Sequence, residues 1–191
     1  MVDRLGRLLA AIDAVNAADP NIDRDERPQA LIYGQRMSTT LGGFTPQASE
    51  VLQIAARAQH IERWTIPRKS YPEGRIAYLT WRKDLQKHHA ARAATLMHVE
   101  GYDADDIARV GSLLRKERLK QDAEVQVLED VICLVFLVHE ADAFIAKHND
   151  DKVRDILGKT ARKMSPAGLV AAGRLSLPPR LARLLGEALT S

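Results

Sequence analysis

Two histidines, a pair of adjacent carboxylates and a run of arginines are the residues of this chain whose types and spacing could do chemistry. At 3.6 residues per turn His60 shares a stripe with Leu52, Ala56 and Trp64. His89 shares one with Tyr78, Arg82, Leu85 and Leu96, so helical periodicity turns both imidazoles inward. An inward histidine is more often a hydrogen-bonded core residue than a ligand. His88 falls on the flank of the same segment, and His98, His139 and His148 fall at exposed or helix-terminal places. Glu129 and Asp130 stand one turn into the segment expected to be most buried. A carboxylate buried there without a partner is costly, so at least one of the two should meet an arginine, a histidine or a metal ion. Asp130 is the more telling, because aspartate has no propensity reason to sit inside a helix. Two inward histidines and a buried acid on three helices make a ligand set for a divalent ion.

Positive charge is concentrated between residues 57 and 87, where eight basic residues face three acidic ones and leave +5. Arg63, Arg68, Arg75 and Arg82 are spread over two helices and a proline-containing loop, and the guanidinium fork suits bidentate capture of a phosphate or carboxylate. A solvated basic face with scattered ion pairs is the plainer alternative.

The elements that must position these groups all read as helices. One runs from Asp3 to about Ala17, and Pro28 opens a second that Gly42 and Gly43 should end. Thr45 and Pro46 look like a cap and first helical position for a third, running through His60 to about Trp64. A loop with Pro67, Tyr71, Pro72 and Gly74 leads to a long helix from Arg75 to Val99, stopped by Gly101. Asp103 caps the next, with Asp106 three positions on. From Asp122 to about His148 the chain is hydrophobic all round in its middle, which marks a central buried helix. Helices after Asn149, Pro166 and Pro179 complete the chain.

The whole has 191 residues, 46% hydrophobic and 28% charged, which excludes disorder and suits one helical domain over 1–191. Net charge is only +3, too balanced to announce nucleic-acid binding. The lone Cys133 lies in the apolar run 131–138, where a thiol is expected to pack in the core, and a reduced, cytoplasmic setting fits. That run is the longest apolar stretch and falls short of the ~20 residues a bilayer span needs. The first twenty residues, with Asp3 and Asp13, read as an amphipathic helix and not as a signal peptide.

Several strings resemble one family. They include Tyr33-Gly34-Gln35-Arg36-Met37, Gln59-His60-Ile61-Glu62-Arg63-Trp64, Tyr78-Leu79-Thr80-Trp81-Arg82, and the stretch from Leu128-Glu129-Asp130 to Leu137. Lys159-Thr160 and Lys163-Met164-Ser165 extend the likeness, which covers nearly the whole chain and is to the domain of unknown function 4202, found in bacteria and fungi. More distantly the order of features is similar to the HD-type metal-dependent phosphohydrolases, all-α enzymes that gather histidines and aspartates from several helices around one or two metals. In that likeness His60 matches a histidine whose partner aspartate is replaced by Ile61, His89 matches a later histidine, and Asp130 matches the closing aspartate. No histidine matches the first ligand near Tyr33 to Met37, and Lys116 stands where another is expected.

The resemblance implies an all-α, HD-like bundle that hydrolyses a phosphate ester or anhydride in a small, nucleotide-like substrate. His60, His89 and Asp130 would hold one divalent metal, Glu129 would orient the attacking water, and Arg63, Arg68, Arg75 and Arg82 would neutralise phosphate. The alternative is a non-catalytic scaffold that holds an anionic ligand, a nucleotide or RNA. RNA would use Trp64, Tyr71, Tyr78 and Trp81 for stacking and is the less favoured partner. No membrane partner is expected.

Overall fold

The computed structural model describes residues 3–23 and 26–190. Among them the chain forms ten α-helices and two single 3₁₀ turns, with one isolated bridge between Ile22 and Pro28 in place of any strand. The helices are α1 (Arg4–Asn16), α2 (Gln29–Phe44), α3 (Glu50–Arg57), α4 (Arg75–Val99), α5 (Ala104–Leu114), α6 (Ala123–His139), α7 (Ala141–Ile145), α8 (Asp150–Ala161), α9 (Pro166–Gly173) and α10 (Pro179–Thr190). The expected all-α class holds. No helix among the described residues is long and apolar enough to cross a membrane.

Side-chain caps set most of the starts, because each accepts from an N–H that the first turn cannot satisfy. Asp3 caps α1, Asp103 caps α5, Asp122 caps α6 and Asn149 caps α8, each accepting from a backbone N–H two or three residues on. Three boundaries differ from expectation. Gly42 and Gly43 do not end α2, which continues to Phe44 and stops only at Thr45, the residue before Pro46, where helical backbone is disfavoured. Helix α3 is much shorter than foreseen: Ser49, not Thr45, caps it through the Leu52 N–H, and it ends at Arg57. The central helix stops at His139, and α7 follows separately after Glu140 leaves helical geometry. The apolar run that buries α6 ends just there, at a Val138 that is already 48% exposed.

The helices group into two compact units, Met1–Arg118 and Leu119–Ser191. In the first, α4 packs along α5, α3 packs on α2 and α5, and α1 touches α2, α3 and α4. Leu8, Ile12, Met37, Leu52, Ile54 and Ile61 are among its fully buried side chains. Gly34 is where α2 comes closest to the end of α3: a Cβ there would lie 2.8 Å from the Arg57 carbonyl oxygen. In the second unit α6 packs on α9 and α7, while α8 lies on α10. Arg180 ties these last helices together, donating to the Ile145 and His148 carbonyls at 2.8 and 3.0 Å and to the Asp150 carboxylate at 2.7 Å.

The two kinds of glycine in α2 make a paired test. Gly34→Ala should destabilise the chain by about 1–3 kcal/mol, since the neighbour it meets is backbone and cannot swing aside. Gly43→Ala, which meets nothing within 4 Å, should stabilise by about 0.5–1 kcal/mol through helix propensity. Urea midpoints of the two variants against the parent chain measure both signs.

Candidate functional site

The chain leaves α3 through a series of tight turns, with Gln59, Ile61, Arg63 and Thr65 each donating a backbone N–H to the carbonyl of residues 56, 58, 60 and 62. This path carries His60, which the expected longer helix would have placed differently. Its ring stacks on Tyr33 of α2, centroids 3.6 Å apart and planes 14° from parallel. Part of the His60 edge stays accessible, and its ring nitrogens make no hydrogen bond among the described residues. The surrounding protein, and then the charges of Arg63, Arg82 and Lys116, hold its imidazole well below the ordinary pKa of 6.5. Lys116 has left-handed backbone, φ 57°, just past the end of α5.

His89 is the second inward histidine, 3% exposed, with its ring centroid 6.2 Å from that of His60. Its Nδ1 lies 2.7 Å from the Ile61 carbonyl oxygen. A carbonyl only accepts, so Nδ1 carries the proton and Nε2 the lone pair. That Nε2 is buried without a partner among the described residues. Burial drives the His89 pKa down to about 3.

The four arginines divide. Arg63 lies over the Trp81 ring at 4.7 Å, and Trp81 in turn donates its indole N–H to the Ile66 carbonyl at 2.9 Å. Arg82 donates to the Tyr78 hydroxyl at 3.1 Å and keeps the rest of its fork available. Arg68 folds its own loop, donating to the Tyr71 and Pro72 carbonyls at 2.9 and 2.8 Å, and Arg75 is exposed at the start of α4. Two of the four thus bear on His60, and two do not.

Asp130 and Glu129 belong to the second unit, both buried on α6. Among the described residues of that unit, Asp130 forms no ion pair with a cation and no hydrogen bond with an imidazole. Its Oδ1 accepts from the Ser165 N–H at 2.8 Å and the Gln126 amide at 3.1 Å, and its Oδ2 accepts from the Ser165 hydroxyl at 2.5 Å. Ser165 is the cap of α9, its Oγ also accepting from the Gly168 N–H at 3.0 Å. A Cβ on Gly168 would fall 2.6 Å from Asp130 Oδ1, so this carboxylate is wedged against the first turn of α9. Glu129 lies 3.8 Å from the Lys163 ammonium.

The expected metal set does not fit these surroundings. Both Asp130 oxygens serve a helix cap, and Arg63 and Arg82 act on both imidazoles as positive charges, which disfavours a dication there. Among the described residues no group of three or more His, Cys, Asp or Glu side chains stands where it could hold a metal ion. A pocket of about 110 Å³ elsewhere in the first unit, lined by Leu9, Leu41, Ser38, Thr45, Pro46 and Gln53 among others, contains none of the expected site residues.

A model of the domain of unknown function 4202 matches residues 6–185. The chain belongs to that family. No curated protein matches it, and no solved structure does. Tyr33, Glu62 and Ser165 are the positions of consequence that were not picked out as site residues. Tyr33 lies one turn after the buried Ala30 and one before Met37 on the inner stripe of α2, a signal that was present at helical spacing.

Two outcomes follow. Removing the cap in Ser165→Ala should cost about 2 kcal/mol, because it also strips a donor from the buried Asp130; urea unfolding measures it. His60 and His89 are neutral in the folded chain and take up protons near pH 6.5 once unfolded, so the unfolded state binds more protons below that pH. Stability should therefore fall as the pH drops below about 6.5, by about 1.4 kcal/mol per pH unit for each histidine that stays neutral, and for His89 down to about pH 3. Urea midpoints at a series of pH values should show this slope, and His89→Gln should flatten it.

Proposed function

We propose that the first unit binds a small phosphorylated ligand, of the nucleotide kind, at the accessible edge of His60, without a metal ion. The observation that carries this is the composition of that edge. The His60 ring makes no hydrogen bond among the described residues, and Arg63, Arg82 and Lys116 act on it as nearby positive charges. Several cations around one donor-capable ring favour a polyvalent anion over a single carboxylate, and the fork of Arg82 can pair two phosphate oxygens at once. Binding is supported ahead of hydrolysis because a His89 base with a pKa of about 3 has little driving force to take a proton from water near neutrality.

Titration calorimetry with inorganic phosphate, AMP and ATP should find binding that tightens with the number of phosphate groups and weakens as salt rises. Arg82→Ala should weaken it about tenfold to a hundredfold, the effect of one charge-assisted hydrogen bond. Equal affinity in the parent and in Arg82→Ala, or heat from turnover that a chelator abolishes, would overturn it.

A further inference from the structure

The first two turns of α4 stand clear of the unit they belong to. Residues 72–80 are exposed throughout except for the half-buried Ala77. Ile76 is 84% exposed, Leu79 49% and Tyr78 41%, so two aliphatic side chains and an aromatic one face water on a single protruding helix end. Such exposure is unfavourable in water and marks an interaction surface when the apolar residues are contiguous. Further along α4, Lys83 and Lys87 continue the stripe of Ile76 and Leu79 at spacings of seven and eleven residues from Ile76, and both are exposed. Lys69 and Arg75 flank the base of the protrusion. Against these four exposed cations stand Glu73, which is exposed, and Asp84, which accepts from the Tyr71 hydroxyl at 2.9 Å and lies 3.9 Å from the Lys87 ammonium, so the collar keeps a net positive charge of two.

We propose that this end of α4 seats on the surface of an anionic lipid bilayer. The shape selects the occupant. A helical peptide needs a groove in which to lay its apolar face, whereas a convex tip with apolar residues on several sides fits a medium that closes around it. The charge makes the same selection: lysines and an arginine collaring an aliphatic tip match acidic headgroups above a hydrocarbon layer, with Tyr78 at the level where amphipathic rings settle. Two aliphatic side chains make a weak anchor, so attachment is reversible and needs the basic collar to hold it. Tyr78 is the one point where this surface meets the proposed ligand site, since its hydroxyl accepts from Arg82 at 3.1 Å, and the substitutions that test the surface are therefore placed at Ile76 and Leu79.

Sedimentation of the full chain with vesicles tests it, using phosphatidylcholine alone and phosphatidylcholine mixed with phosphatidylserine. The chain should partition onto the mixed vesicles at low salt and at least about tenfold less onto the neutral ones, and high salt should release it. Ile76→Glu combined with Leu79→Glu should lower partitioning by at least about tenfold while leaving the thermal melt and phosphate binding unchanged, since both side chains are exposed. Equal sedimentation with the two vesicle types, or a double variant that sediments like the parent, would overturn it. So would loss of sedimentation in Arg82→Ala with retention in the double variant, which would place headgroup capture at His60 and not at the helix end.

Discussion

Glu62 holds the backbone in a left-handed turn, φ 50°, and the arrangement of the first unit depends on it. A residue with a Cβ pays roughly 1–2 kcal/mol to sit there. What offsets this is a set of contacts from two other helices: Arg92 Nε and His88 Nε2 reach the Glu62 carboxylate at 2.9 and 3.3 Å, and the buried Asn16 side chain accepts the Glu62 N–H at 3.4 Å. The turn decides where its neighbours go. Ile61, just before it, is fully buried with its carbonyl directed at His89, and His60 comes to rest on Tyr33. Arg63, just after it, comes to lie over Trp81. A continuous helix from Thr45 to Trp64 would have placed none of these three as they are.

The second unit solves a related problem with the opposite charge. The start of α9 offers unsatisfied N–H groups and the positive end of a helix dipole, a place where proteins commonly bind external anions. Here the anion is internal. Asp130 from α6 fills it, and the absence of a side chain at Gly168 gives the carboxylate room. This explains how aspartate can occupy a helix interior at 1% exposure without a cation beside it: three hydrogen-bond donors, one of them backbone, replace the solvent it has lost. Chemistry at a buried acid and architecture at a buried acid leave the same mark in a sequence.

That ambiguity sets what could be read from residues alone. Helix starts were legible wherever a short polar side chain stood at the cap, as at Asp3, Asp103, Asp122 and Asn149, because the signal and the interaction are local. The buried character of α6 was equally plain, its apolar run exceeding any single face. The path beyond α3 was not legible, since no local residue announces the left-handed Glu62, whose carboxylate is met by His88 and Arg92 some thirty residues further on. The His60 and His89 rings lie 6.2 Å apart, but His60 reaches that place through the turns after α3 and not along the helical stripe its spacing suggests. The expectation for Asp130 rested on a buried acid inside a helix and on the HD-type likeness, and neither says which donors will meet the carboxylate.

The basic stretch between residues 57 and 87 shows why a charge count is a poor guide to a site. Its cations separate into three populations with different surroundings. Arg57 and Arg68 are consumed within the unit, one 3.3 Å from Asp13 and the other on two loop carbonyls, so their charge is neutralised or dispersed before any ligand arrives. Arg63 and Arg82 bear on His60, where partial burial lowers the local dielectric and makes each charge count for more. Lys69, Arg75, Lys83 and Lys87 remain in water, where screening over about 10 Å leaves them effective only toward an extended anionic surface that meets them together. The same residue type therefore acts as mortar, as a ligand clamp and as a steering field within one segment. Burial, which the sequence does not state, is what sorts them.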